Sequence, residues 1–187
     1  MNKNLKKTIY GDYGFKNWRQ YFKKCFLYPE IKTGCLWRKS QFYTKSKNPF
    51  LRLFWKLRWL RRRKKTGCQI SLHANIDVGL RLLHDGERVI VSGAKIGKDC
   101  MIGINVIVGN SFSNAEQKFG SPTIGDRVYI GHNSSIVGNI TVGDDVLIAP
   151  NSFVNRDVPS HSVVVGNNII IPKQNPSAPY IKWLISI

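Results

Sequence analysis

The sequence predicts an all-β fold, a parallel β-helix preceded by a basic helical segment, and three observations carry that prediction. An aliphatic residue recurs every six positions, at Ile70, Ile76 and Leu82, then Ile90, Ile96, Ile102 and Val108, and again at Ile124, Ile130, Ile136, Val142, Ile148 and Val154. Glycine often follows directly, at Gly97, Gly103, Gly109, Gly125, Gly131 and Gly143. Four positions after the lead comes a small or aliphatic residue: Ala74, Ala94, Cys100, Val106, Val128, Ser134, Val146 or Ser152. A period of six suits neither an amphipathic helix nor a two-sided sheet, so a solenoid follows. Each hexad makes one short strand and a turn, and three hexads make one triangular coil. The lead and the i+4 residue point inward, and the residue after the lead stays small where the chain corners. The 13 leads make a little over four coils, enough for cooperative stacking.

The chain divides at its changes of composition. Residues 1–67 form a basic, aromatic-rich helical arm, 68–166 the repeat, and 167–187 a C-terminal tail. The formal charge of +18 is uneven: residues 1–69 hold 20 Lys and Arg against Asp12 and Glu30, whereas residues 70–187 hold nine of each sign. Within the arm, residues 48–65 read as a basic amphipathic helix. Asn48 suits its cap, Pro49 its first position and Gly67 its stop. Phe50, Leu53, Phe54, Leu57 and Leu60 make its apolar stripe, widened by Leu51, Trp55 and Trp59, with Arg52, Lys56 and Arg58 outward and a cationic run at Arg61–Lys65. Three roles fit this helix. It packs over the open end of the solenoid, whose unpaired strand edges need a cap; it adds peripheral contact with an anionic membrane; or it binds nucleic acid. The first leads, and the last is disfavoured because no nucleic-acid-binding signature is present.

The repeat is interrupted twice, and interruptions are where function is inserted. Between Leu82 and Ile90 the step is eight and contains Leu83-His84-Asp85-Gly86-Glu87; between Val108 and Ile124 it is 16 and extrudes a polar loop, Asn110 to Pro122. If that loop adds ten residues to one hexad, Leu82, Ile102, Ile130 and Ile148 share a face. His84, Ile104, His132 and Pro150 then stack along one edge of the prism. Cys25, Cys35, Cys68 and Cys100 form no CxxC pair and no metal-ligand grouping with the histidines, so reduced thiols, no metal and a cytoplasmic location are expected. No signal peptide and no membrane span are read.

The stretch from Gln69 to Gly166 resembles serine acetyltransferase and its shorter relatives in surface-polysaccharide gene clusters. The histidine hexad, the VGN turn, the loop ending SPTIGD and the run IVGNITVGDDVLIAPNSFVNRDVP carry the resemblance. It implies a left-handed β-helix of hexapeptide repeats, a homotrimer, and acetyl transfer from acetyl-CoA to a hydroxyl. His84 matches the family's catalytic histidine and would act as general base. Counting back 15 residues from His84, where those enzymes place an orienting acid, lands on Gln69. Either the reaction tolerates that amide, another acid such as Asp85 or Glu87 substitutes, or activity is weak; two acceptor-contacting positions are Leu83 and Ser121. Because the groups that would recognise zwitterionic serine are replaced, the expected acceptor is a sugar of a surface polysaccharide or its precursor. The alternatives are L-serine as acceptor and a catalytically weak scaffold. The wider hexapeptide family implies cofactor contacts at His132, Pro150, Asn155, Arg156 and Lys173, of which Arg156 and Lys173 read equally as surface charges. A location at the inner face of the membrane would follow from the contact through residues 48–65.

Overall fold

The computed structural model describes residues 2–84, 87–112 and 119–180, the side chains of residues 29 and 30 excepted. Four helices come first: α1 (Lys3–Tyr13), α2 (Trp18–Leu27), α3 (Pro29–Tyr43) and α4 (Pro49–Thr66). Asparagine caps three of them. The side chains of Asn2, Asn17 and Asn48 accept from the backbone N–H groups of Asn4, Gln20, and Phe50 with Leu51, as caps of this type do. Gly67 ends α4 in the left-handed region at φ 71° and donates to the Arg63 carbonyl, a conformation glycine adopts without cost.

The repeat then winds into a left-handed parallel β-helix. Its first sheet stacks β1 (Gln69–Ile70), β4 (Ile90–Val91), β7 (Ile107–Gly109), β12 (Ser135–Val137) and β15 (Phe153–Val154). The second stacks β2 (Asn75–Ile76), β5 (Lys95–Ile96), β10 (Thr123–Ile124) and β13 (Thr141–Val142). The third stacks β3 (Arg81–Leu82), β6 (Met101–Ile102), β11 (Tyr129–Ile130), β14 (Leu147–Ile148) and β16 (Ser162–Val165), closed by antiparallel β17 (Ile169–Pro172). A small hairpin of β8 (Ser111–Phe112) and β9 (Phe119–Gly120) forms the base of the loop. Leads and i+4 residues make one continuous core along the axis. Cys100 lies within it, where burial pushes its thiol up to about 12, so it packs as an apolar side chain.

One lead is displaced. Ile70 pairs with Val91, not with Ile90; Val91 is buried and Ile90 only half-buried. The break after Leu82 therefore runs nine residues to the next lead, Val91, and the hexad that follows is shortened to five. A slip of one residue in a strand exchanges inward for outward, so the spacing on either side of the break concealed the true lead. The glycines after the leads have a different cause from the corner conformation the sequence suggests. A Cβ at Gly131 would stand 2.6 Å from the Pro150 nitrogen, and one at Gly143 would stand 2.5 Å from that of Ser160. Close approach of the next coil excludes side chains there. The left-handed corners fall two residues later, at Asp99, Asn105, Arg127, Asn133, Asp145 and Asn151.

The end cap also departs from expectation. Along most of the solenoid the N–H groups flanking the lead donate to the lead and lead−2 carbonyls of the following coil, as Asp77 does to Ile96 and Lys95 to Pro122. The first coil has no coil beneath it, so its own carbonyls need donors. Helix α3 supplies them: Arg38 Nη1 donates to Ile76 at 2.8 Å, Gln41 Nε2 to Ala74 at 2.8 Å, and Trp37 Nε1 to Ser71 at 3.2 Å. Asp12 from α1 accepts the Gly79 N–H at 2.8 Å and a bidentate contact from Arg38. Burial raises the Asp12 carboxyl above its ordinary range, with Arg38 opposing the shift. Helix α4 contributes Trp59, which joins Trp37 in the core. Its anticipated stripe of Phe50, Leu53, Phe54, Leu57 and Leu60 faces the other way, exposed. No helix among the described residues is long and apolar enough to cross a membrane.

Arg38→Met should strand the buried Asp12 carboxylate and leave two carbonyls without donors. We expect a loss of about 3–5 kcal/mol, read as a lowered midpoint in chemical denaturation.

Candidate active-site edge

The register places His84 and His132 on one edge, each two residues beyond a lead of the third sheet. Their rings lie 5.8 Å apart, centroid to centroid, tilted by 44°. His84 is exposed and sits in a short turn at φ 46°, directly after β3. This non-glycine left-handed backbone costs energy and occurs where surrounding structure imposes it. Here it lies where the regular hexad stops.

His132 belongs to a hydrogen-bond pattern repeated around the prism. On the neighbouring edge the Asp126 carboxylate accepts from the Lys98 N–H at 2.7 Å, and that of Asp144 from the Asp126 N–H at 2.7 Å. Each acceptor stands two residues after a lead and reaches one coil back. His132 does the same with its ring, Nδ1 accepting the Ile104 N–H at 3.0 Å. An Nδ1 that accepts cannot carry the proton, so the neutral ring is protonated on Nε2. Burial lowers the His132 pKa and the neighbouring His84 lowers it further. His132 is thus held neutral, with an Nε2–H donor on the same edge as His84. Asp126 and Asp144 thus serve this ladder through their side chains, and Asp145 is buried against Ser177 and His161.

The other anticipated residues fall into separate groups. The Gln69 side-chain oxygen accepts from Arg63 Nη2 at 3.3 Å, and no hydrogen bond joins it to His84 among the described residues. Leu83 packs with Met101, Tyr129 and Leu147 on the outer face of the third sheet, where Tyr180 stacks on Tyr129 at 4.3 Å. Ser121 bonds to Asn110 across the base of the loop. Asp85 lies outside the described residues. Pro150 is exposed at the top of the histidine edge. Asn155 and Arg156 are brought together by a residue not singled out from the sequence, Asn168. Its side chain exchanges hydrogen bonds with Asn155 at 3.1 and 2.8 Å, and its carbonyl receives Arg156. Lys173 is exposed after β17 and bonds through its backbone to His161. The pair Asn167-Asn168 was the available signal: an asparagine in the left-handed region, φ 58° for Asn168, marks a built turn.

Coils stacked from six-residue units are the architecture of hexapeptide-repeat proteins, and the comparisons agree. The bacterial transferase hexapeptide family (six repeats) matches residues 121–156, and the hexapeptide repeat of succinyl-transferase matches 93–111. Among curated proteins, the serine acetyltransferase of Staphylococcus xylosus is 37% identical over 110 residues, covering 57% of this chain and 49% of its own. That of Helicobacter pylori is 36% identical over 102 residues, covering 54% and 58%. The crystal structure of Neisseria gonorrhoeae serine acetyltransferase in complex with serine superposes with a TM-score of 0.70 at 26% identity, covering 91% of this chain and 70% of that one. These curated and solved proteins that the chain resembles over its repeat are serine acetyltransferases. The chain spans about half the length of the curated relatives it matches.

The His132 arrangement has a spectroscopic consequence. Nitrogen-15 NMR should find His132 as the Nε2–H tautomer, titrating below about 6.5, the value of a free imidazole. Because the native ring resists protonation, the fold should lose stability as pH falls below that range. A His132 that titrates at or above it would break the assignment.

Proposed function

We propose that the chain is an acetyl-CoA-dependent O-acetyltransferase with His84 as general base. The observation that carries the proposal is the placement of His84: an exposed histidine at the interruption of a repeat matched by transferase families. Its neutral imidazole takes the proton of the acceptor hydroxyl as that oxygen attacks the thioester carbonyl. The tetrahedral intermediate collapses, the C–S bond breaks, and the imidazolium returns the proton to the leaving thiolate. The relatives named serine acetyltransferase, one of them solved with serine bound, support L-serine as the acceptor. Asn155 and Arg156, drawn together by Asn168, support a cofactor contact at the late coils, where Arg156 would meet phosphate; Pro150 and Lys173 join this reading by resemblance. A homotrimer with the site completed by a second subunit belongs to the same proposal, since His84 lies on an open edge of the prism.

A second acceptor is favoured by one observation. Leu83, adjacent to His84, lies in an apolar cluster with Met101 and Tyr129, and offers no charge to the ammonium group of an amino acid. With Gln69 engaged by Arg63 and Ser121 by Asn110, this favours an uncharged hydroxyl compound, such as a sugar of a surface polysaccharide or its precursor.

Thiol release from acetyl-CoA, followed with L-serine and with nucleotide-linked sugars, tests both readings. Release should depend on acceptor, and His84→Ala should reduce it by about 10²–10⁴-fold. Acceleration by serine alone excludes the sugar; acceleration by a sugar alone excludes serine. Unchanged turnover in His84→Ala would overturn the general-base assignment.

A further inference from the structure

We propose that the outer face of α4 is a docking surface for an anionic lipid bilayer. The inward face of this helix is Leu51, Trp55 and Trp59, with Trp59 only 1% exposed. The opposite face carries Phe50, Leu53, Phe54, Leu57 and Leu60, with Phe50 82% and Leu53 53% exposed. These five residues follow the i, i+3, i+4, i+7 spacing of one helical stripe. A contiguous apolar row of this kind left in water marks a surface that meets something.

Charge selects the occupant. At the same spacing, the stripe runs on through Arg61, Lys64 and Lys65 in the last turn. Helix α4 contains eight Lys and Arg and no acid. The Arg58 guanidinium lies over the Phe54 ring at 5.6 Å, so cation and apolar surface are interleaved. Pairing α4 with α4 of a second copy would oppose eight cations to eight more. The β-helix of a second copy, with nine charges of each sign over residues 70–187, offers no matching acidic field. An anionic phospholipid surface supplies both requirements at once. Its phosphates meet the cations, and the boundary of its acyl chains takes the Phe and Leu side chains of a helix lying in the plane. The helix has 18 residues, roughly 27 Å at the usual rise, long enough for all five apolar side chains to reach the surface together.

The test is flotation of the full chain with phosphatidylcholine vesicles, with and without phosphatidylglycerol. Binding should be at least about tenfold stronger with the anionic lipid and should weaken with salt. The triple variant Phe50→Ser, Leu53→Ser, Leu57→Ser alters only exposed positions, so its thermal melt should match the parent while vesicle binding falls about tenfold or more. Lys64→Glu with Lys65→Glu should abolish the preference for anionic lipid. No preference for phosphatidylglycerol, or binding indifferent to the serine substitutions, would overturn the proposal. So would single-stranded RNA competing fully for the face, or a Leu53→Cys variant that cross-links copy to copy in solution without lipid.

Discussion

The open lower edge of the first coil is the constraint on which the arrangement of this molecule depends. A β-helix satisfies its backbone by handing each coil's hydrogen bonds to the next, and the first coil has no predecessor. Here α3 takes that place group by group. Arg38 and Gln41 donate to Ile76 and Ala74, the lead and lead−2 carbonyls that a preceding coil would use. Asp12 accepts from Gly79, at the corner position whose N–H elsewhere donates to the coil below, as Asp99 does to Val78. The buried pair of Asp12 and Arg38 is therefore a splice between helix and solenoid. Its worth lies in the backbone groups it satisfies more than in the attraction of two charges, whose desolvation opposes them.

That splice settles the rest of the arm. With α3 on the coil edge, α4 reaches the core only through Trp59 and turns its other apolar face outward. The small aromatic core of α1, α2 and α3, built on Leu5, Ile9, Phe15, Tyr21 and Cys35, forms beside it. The same economy operates at the histidine edge. His132 occupies a ladder position filled by Asp126 and Asp144 elsewhere, and makes the same bond to the coil before it. A carboxylate in that position has only acceptor atoms, whereas imidazole uses one nitrogen as acceptor and keeps a donor on the other. A structural position thereby gains a polar group directed by the fold.

The β-helix was largely legible because its core is periodic in sequence as well as in space. All the leads except Ile90 are placed as read, and the edge shared by His84 and His132 follows from counting. Ile90 failed because the break after Leu82 changes the phase of the pleat, and spacing cannot say which of two adjacent aliphatics turns inward. The arm of residues 1–67 is helical as read, but the bounds of α1 to α3 within it were not legible, for a related reason. α3 packs against helices on one side and the coil edge on the other, so no single apolar stripe advertises it, although the caps Asn2 and Asn17 were in view. The surroundings of the site positions counted from the resemblance were not legible. Gln69 and Ser121 are held by Arg63 and Asn110, partners on other segments that no local motif announces.

Period, coil count, core positions and the meeting of two histidines are consequences of spacing, because in a stacked coil distance along the chain maps directly onto distance in space. The helical conformation and capping of α4 belong to the same class, since caps and i+4 contacts are local. The direction α4 faces does not. Its two sides are both apolar enough to be buried, and the choice between them went to Trp55 and Trp59 because α3 already holds the coil edge. That contest is settled between segments far apart in the chain, through hydrogen bonds to backbone carbonyls, and backbone groups carry no residue identity for a sequence to display.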